Sequence, residues 1–197
     1  MFVTFEGVDG SGKSTQAELL RDSLAAEGRE VLLTREPGGT EVGEGIRELV
    51  LEGPAMTPWS EAALFAAARA ELVETVIRPA LARGAIVISD RYIDSSLAYQ
   101  GIARDVGLDH VLELNLHAVR GLLPDRTVLL LVEPELAARR AVLQDRLERE
   151  GREFHERVAA AYRELAGLYP ERIVVFDGAR DPHELAREIH ELIRRDL

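Results

Sequence analysis

Gly7-Val8-Asp9-Gly10-Ser11-Gly12-Lys13-Ser14 follows a short apolar run at residues 2–6 and leads into a helical pattern that opens at Lys13. The octet meets G-x-x-x-x-G-K-[ST] at every fixed position and stands in the strand–turn–helix setting the pattern requires. Each residue type has a chemical reason to be there. Glycines let backbone N–H groups turn inward around phosphate oxygens with no Cβ in the way. The helix N-terminus adds its positive end. Lys13 is expected to reach the β- and γ-phosphates of a nucleotide, and the Ser14 hydroxyl to ligate Mg²⁺. The loop as a whole, Gly7 to Ser14 with Thr15, is the expected seat of the ATP phosphates.

Outward from this loop, short Ile/Val/Leu runs alternate with helical patterns, which predicts an α/β domain built on a parallel sheet. The expected strands are 2–6, 30–34, 85–89, 127–132 and 172–176, apolar enough to be covered on both faces. A helix over 13–27 carries Ala17, Leu20 and Leu24 on one side and stops at Gly28. Thr57-Pro58 reads as an N-cap followed by proline at the first helical position, opening a helix that runs to about Arg83 and ends at Gly84. Asp181-Pro182 repeats the signal before a last helix with Leu185, Ile189 and Leu192 inward. No repeat or linker interrupts the pattern, so residues 1–197 read as one domain: a P-loop NTPase three-layer fold, with a five-stranded parallel sheet flanked by helices.

Composition narrows the partners. A formal net charge of −11 argues against binding a nucleic-acid polymer, which most of the surface would repel. No apolar stretch approaches the roughly 20 residues of a membrane helix, and Phe2 already begins the first strand rather than a signal peptide. The absence of cysteine removes disulfide and thiolate chemistry and suits the cytoplasm. Lys13 is the only lysine among 24 Lys and Arg residues, so the one primary ammonium of the side chains sits in the phosphate loop.

The third apolar run ends in Ser89-Asp90-Arg91-Tyr92. A strand that delivers an Asp suits a carboxylate beside Mg²⁺, and an Arg next to it suits a fork onto phosphate. The plain alternative is a surface Asp-Arg pair at a strand end. Phe65 and Arg69, four apart, share one helix face. On spacing alone Phe65 is a core residue and Arg69 a snorkelling one. Guanine reading by Asn-Lys-x-Asp is closed, because the single asparagine, Asn115, precedes Leu116. A protein kinase is closed too, for want of a His-Arg-Asp loop. Phe176-Asp177-Gly178 is then simply the end of the last strand.

The run from Phe5 through Gln16 resembles the opening of the thymidylate kinases. So do Thr34-Arg35-Glu36-Pro37-Gly38-Gly39-Thr40, the stretch from Asp90-Arg91-Tyr92 to Ser95-Ser96-Leu97-Ala98-Tyr99-Gln100, Asp145-Arg146-Leu147-Glu148, and the segment from Phe154 to Leu165. The resemblance implies transfer of the γ-phosphate of ATP to dTMP, giving dTDP and ADP for dTTP supply, with Mg²⁺ held by Ser14 and Asp90. It implies that Asp9 accepts from the 3′-hydroxyl of dTMP, that Phe65 stacks on thymine and that Arg69 donates to it. Arg91 would hold the acceptor phosphate, Ser95, Ser96, Tyr99 and Gln100 would line base and sugar, and Arg35 would support this wall. Adenine would rest on the loop of Ala179 and Arg180, a homodimer is implied, and Glu36–Pro37 would be a cis peptide. Because position 10 is Gly, the resemblance moves the catalytic arginine out of the phosphate loop and into a small lid at about 139–150. Arg139, Arg140 and Arg146 are the candidates there, with Arg149 beside them; solvated arginines on a charged helix are the alternative. Two other readings stand against this one. One is a kinase for a different nucleoside monophosphate, and the other an ATP-binding regulator without transfer.

Overall fold

The computed structural model describes residues 1–140 and 145–197. Five strands, β1 (Phe2–Glu6), β2 (Val31–Arg35), β3 (Ile86–Asp90), β4 (Arg126–Leu131) and β5 (Ile173–Asp177), make one parallel sheet in the order β2-β3-β1-β4-β5. Each expected strand is present. Three of them end one residue later than their apolar runs suggest, because the ladder continues into polar residues. Asp90 pairs with Phe5 on one side and Arg35 on the other, and Leu131 pairs with Asp177. Hydrophobicity marks what is covered; hydrogen bonding marks where the strand stops.

Strand alternation sorts the core into two layers. Val3, Phe5, Ile86, Ile88, Val128 and Leu130 face α1 (Lys13–Ala26) and the last helix of the chain, Pro182–Arg195, meeting Ala17, Leu20 and Leu24 from one and Leu185, Ile189 and Ile193 from the other. Leu192 was expected inward, but Ile193 takes the fully covered place and Leu192 packs at the edge. Phe2, Val87 and Leu129 face the opposite layer.

The remaining helices are α2 (Glu41–Glu52), α3 (Pro58–Leu72), α4 (Arg78–Ala82), α5 (Ile93–Ser96), α6 (Leu108–Ala118), α7 (Pro134–Arg140) and α8 (Arg152–Leu168), with Pro182–Arg195 numbered α9. Of these, α3 to α6 and α8 fill that second layer, and α2 packs beside α3 in a smaller cluster of its own. Thr57 caps α3, accepting from the Ser60 N–H, as its Thr-Pro start signal suggests. The path from Pro58 to Gly84 is continuous, but Val73–Ile77 widens into a π-helical stretch. Pro79 lies just beyond it; proline lacks an N–H and crowds the carbonyl four residues back, which the wider turn accommodates. Gly28 and Gly84 end their helices at φ 79° and 84°. A second π-helical stretch, Leu97–Ala103, extends α5 and carries Tyr99 and Gln100 inward. The Glu36–Pro37 bond is cis.

Because every strand runs the same way, β1, β3, β4 and β5 deliver Glu6, Asp90, Leu131 and Asp177 to one edge of the sheet. Open α/β sheets bind ligands outside that carboxyl edge.

Candidate active site

The loop after β1 closes over this edge through glycines at positive φ, of which Gly7 is the most tightly enclosed. A Cβ on Gly7, at φ 136°, would stand 2.4 Å from the Leu130 carbonyl oxygen. Gly12 caps α1 from the left-handed region and offers no side chain, so the first N–H groups of the helix face the loop interior. Lys13 is 5% exposed. Its Nζ donates to the Val8 carbonyl at 2.9 Å and lies 3.5 Å from Asp9 Oδ1. Burial first, then repulsion from Arg91, lowers its pKa. Across the cleft Ser14 Oγ donates to Asp90 Oδ2 at 2.5 Å, while Asp90 Oδ1 is buried with no partner among the described residues. A hydroxyl and a carboxylate are the hard oxygen donors that Mg²⁺ takes. Among the described residues no three His, Cys, Asp or Glu side chains gather as a metal cluster, so an ion here draws further ligands from phosphate and water. The loop opens into a cavity of about 650 Å³ lined by Asp9 to Gln16, Asp90 and several arginines.

A second, tighter cavity of about 110 Å³ adjoins the first, and Asp9, Glu36, Arg47 and Arg91 border both. Arg91 stands at the junction in the left-handed region, φ 72°. Its Nη2 donates to Asp9 Oδ1 at 2.5 Å, and its Nη1 to Gly7 O, Ser95 Oγ and Tyr162 OH at 3.1, 3.0 and 3.2 Å. The guanidinium also lies over the Tyr99 ring, 5.3 Å from its centroid. This conformation is held from behind by Glu6 at the end of β1. One carboxylate oxygen accepts from the Tyr92 and Ser95 N–H groups at 2.8 and 3.2 Å, capping α5 in place of a local side chain. The other accepts from Ser95 Oγ and Tyr162 OH at 2.6 and 3.0 Å. Burial, with Asp94 nearby, raises the Glu6 carboxyl to about 7. Asp9 goes the other way: burial opposes its charge, but Arg91 and Lys13 outweigh burial and hold it below the usual carboxylate range.

Phe65, Ser95, Ser96, Tyr99 and Gln100 all line the smaller cavity. Arg69 does not reach its surface. It is 1% exposed and faces inward, since the buried Glu36 carboxylate draws it there. Nε donates to Glu36 at 2.7 Å, Nη2 to the Tyr92 carbonyl, and Nη1 to Ser96 Oγ and Asn115 Oδ1, while Nη2 also lies 2.7 Å from the Glu36 carboxylate as an ion pair. Arg69 is thus buried rather than snorkelling, and it braces the wall through Glu36 and Ser96. Arg35 is half-exposed, paired with Glu44 at 3.0 Å, and lines the larger cavity.

The arginines around 139–150 separate. Arg140 lines the phosphate cavity and donates to the Gly178 carbonyl at 2.8 Å. Arg139 is exposed and lines neither cavity. Arg146 turns away to Glu61 at 2.7 Å and the Val50 carbonyl at 2.9 Å, and Arg149 is exposed, with its Nε on the Asp145 carbonyl at 3.3 Å. Residues 141–144 of the expected lid lie outside the described residues. Arg180 borders the phosphate cavity and pairs with Glu188, while the Ala179 N–H donates to Asp177 and shapes the loop.

Sequence reasoning passed over several wall residues. Arg47 on α2 borders both cavities, its Nη1 on the Pro37 carbonyl at 2.9 Å. Burial, then Arg35 and Arg91, lowers its pKa. Glu148 faces Asp9 and Asp145 and is raised to about 7 by burial and by those two charges. Nothing in local spacing separates Arg47 from the other charged residues of its helix.

The chain matches the family model described as thymidylate kinase over residues 5–189. It is 53% identical over 196 residues to the thymidylate kinase of Clavibacter michiganensis subsp. michiganensis, covering 96% of this chain and 92% of that one. It is 47% identical over 197 residues to the thymidylate kinase of Synechococcus sp. (strain JA-3-3Ab), covering 100% and 97%. Among solved structures it superposes on the crystal structure of thymidylate kinase from Ehrlichia chaffeensis with a TM-score of 0.83, at 33% identity over 98% of each chain.

Proposed function

This chain belongs to the thymidylate kinase family, and from that premise we propose how its residues divide the work. The enzyme transfers the γ-phosphate of ATP to dTMP, giving ADP and dTDP. The observation that carries the assignment of residues is the pair of cavities meeting at Asp9 and Arg91. The larger, with its phosphate loop and Lys13, takes ATP. The smaller takes dTMP, its ring against Phe65 and its phosphate at Arg91, with Arg47 nearby. Asp9, kept ionised by Arg91 and Lys13, accepts from the sugar hydroxyl. An oxygen of the acceptor phosphate attacks the γ-phosphorus as the bond to the ADP oxygen breaks, in line and without an enzyme-bound intermediate. That acceptor is already an anion, so no side chain has to remove a proton.

Bound at Ser14 and Asp90, Mg²⁺ would neutralise charge on the β- and γ-phosphates. Arg140 is the arginine assigned to the transferring group, since it borders the phosphate cavity whereas Arg139 and Arg146 do not. Arg140→Ala is expected to lower kcat by about 10²-fold with the KM for ATP changed less than about threefold, the mark of a contact made in the transition state. Assaying Arg139→Ala and Arg146→Ala beside it checks this; a larger loss at either would move the role there.

A homodimer fits the exposed ridge of Trp59, Ala63 and Ala67 along α3, with His110 of α6 beside the tryptophan ring. No helix among the described residues is long and apolar enough to cross a membrane, and the five strands share one sheet, which supports an enzyme of one domain. Turnover with ATP across dTMP, dUMP, dCMP, dAMP and dGMP tests the acceptor reading. The expected order places dTMP first and dUMP second. Faster turnover of dCMP or a purine nucleotide would overturn it.

A further inference from the structure

Two wall residues of the smaller cavity are turned by buried neighbours. Gln100, 1% exposed, donates from Nε2 to Glu61 Oε1 at 2.9 Å, and Glu61 is itself 1% exposed. An ionised carboxylate accepts and never donates, so the amide must give it the NH₂ end. The amide oxygen of Gln100 then points to the other side, where no donor among the described residues reaches it. Ser96 is set in the same way. Arg69 Nη1 donates to Ser96 Oγ at 3.0 Å, and a guanidinium has no acceptor, so the hydroxyl proton of Ser96 is left to donate elsewhere. The wall thus carries an acceptor and a donor in fixed roles.

We propose that Glu61, acting through Gln100, is the positioning residue that sets the base preference of the acceptor site. The proposal rests on the smaller cavity being the dTMP site. Thymine and uracil carry an N3–H flanked by carbonyl oxygens, which matches an amide oxygen beside a hydroxyl donor. Cytosine carries a bare N3 beside an amino group and meets the same wall with acceptor against acceptor and donor against donor. A site built to pair such groups rejects the mismatched analogue strongly, because its polar atoms are left unpaired.

Glu61 is also held on its far side, which makes the effect of one substitution specific. Arg146 Nη2 donates to Oε2 at 2.7 Å, whereas Arg104 approaches only to 3.4 Å. In Glu61→Gln the oxygen goes to Arg146, so the amide nitrogen faces Gln100. Gln100 must then present its own oxygen to position 61 and its NH₂ to the cavity, reversing the pattern. We expect kcat/KM for dTMP to fall about tenfold and that for dCMP to rise about tenfold, as one hydrogen bond is exchanged at each. Turnover of dUMP should fall in step with dTMP, since the two share the edge being read. Arg104→Met removes a cation from Glu61 without touching Gln100, and its dTMP-to-dCMP ratio should stay within about twofold of wild type.

A purely structural role for Glu61 would lower all three acceptors together and leave the ratios unchanged. That outcome, in a Glu61→Gln protein of near-native melting temperature, overturns the proposal. If that variant does not fold, Gln100→Leu carries the test: loss of the amide oxygen should cost dTMP about tenfold and dCMP little. Equal losses for both would overturn it. Wild-type protein inactive on both dTMP and dUMP would remove the acceptor reading itself, before any variant is made.

Discussion

Replacing Lys13 by alanine is expected to lower kcat by at least about 10³-fold while leaving the protein folded. Lys13 is the only lysine of the chain and the one cation of the phosphate loop. Its ammonium is nearly buried, and burial lowers its pKa. A charge kept in the folded state against that cost is not there for stability. The groups it touches, the Val8 carbonyl and Asp9, keep other neighbours: Asp9 retains Arg91 at 2.5 Å. What disappears is a positive charge beside the β- and γ-phosphates, where charge accumulates as the bond breaks. Steady-state kinetics with a melting curve on the same sample checks both halves. Turnover within about tenfold of wild type would contradict the role given to the loop.

Arg91→Lys should lower kcat/KM for dTMP by about 10³-fold, with the KM for ATP changed less than about threefold. The change keeps the charge and removes the fork. Arg91 serves five acceptors, Asp9, Gly7 O, Ser95 Oγ, Tyr162 OH and, at 3.5 Å, Tyr99 OH, and still borders both cavities. An ammonium on a flexible stem makes at most three bonds, from one point. Asp9, whose ionisation depends first on Arg91 among its attractive partners, would lose its planar clamp as well. The left-handed backbone at position 91 is secured by Glu6 through Tyr92 and Ser95, so the loop itself should persist. An unchanged kcat/KM for dTMP would move the acceptor phosphate elsewhere, and Arg47 would be the next residue to test.

The parts of this site that are local in sequence were legible there. The loop from Gly7 to Ser14 declares itself through glycines at fixed spacing, and the Asp90-Arg91 pair through its place after an apolar run. The helix ends were equally readable at Thr57-Pro58, Gly84 and Asp181-Pro182. What sequence spacing misjudged depends on partners far away along the chain. Arg69 shares a helix face with Phe65, which suggests a common target, yet a carboxylate at position 36 turns it inward. Gln100 reads as a wall residue, but which end of its amide faces the wall is decided by Glu61. Arg146 belongs to the lid by position and to Glu61 by contact. Arg47 became visible only when α2 was laid beside the cis turn at Pro37. Pattern locates backbone and burial; the direction of a buried polar bond is settled by tertiary neighbours.

The account as a whole stands on one transfer, which labelled phosphate follows directly. Incubating the protein with Mg²⁺, dTMP and ATP labelled at the γ-position, and then separating the nucleotides, shows where the label goes. The account predicts that it appears in the terminal phosphate of dTDP, in an amount equal to the ADP formed. Label released as inorganic phosphate, with dTMP recovered unchanged, would contradict it.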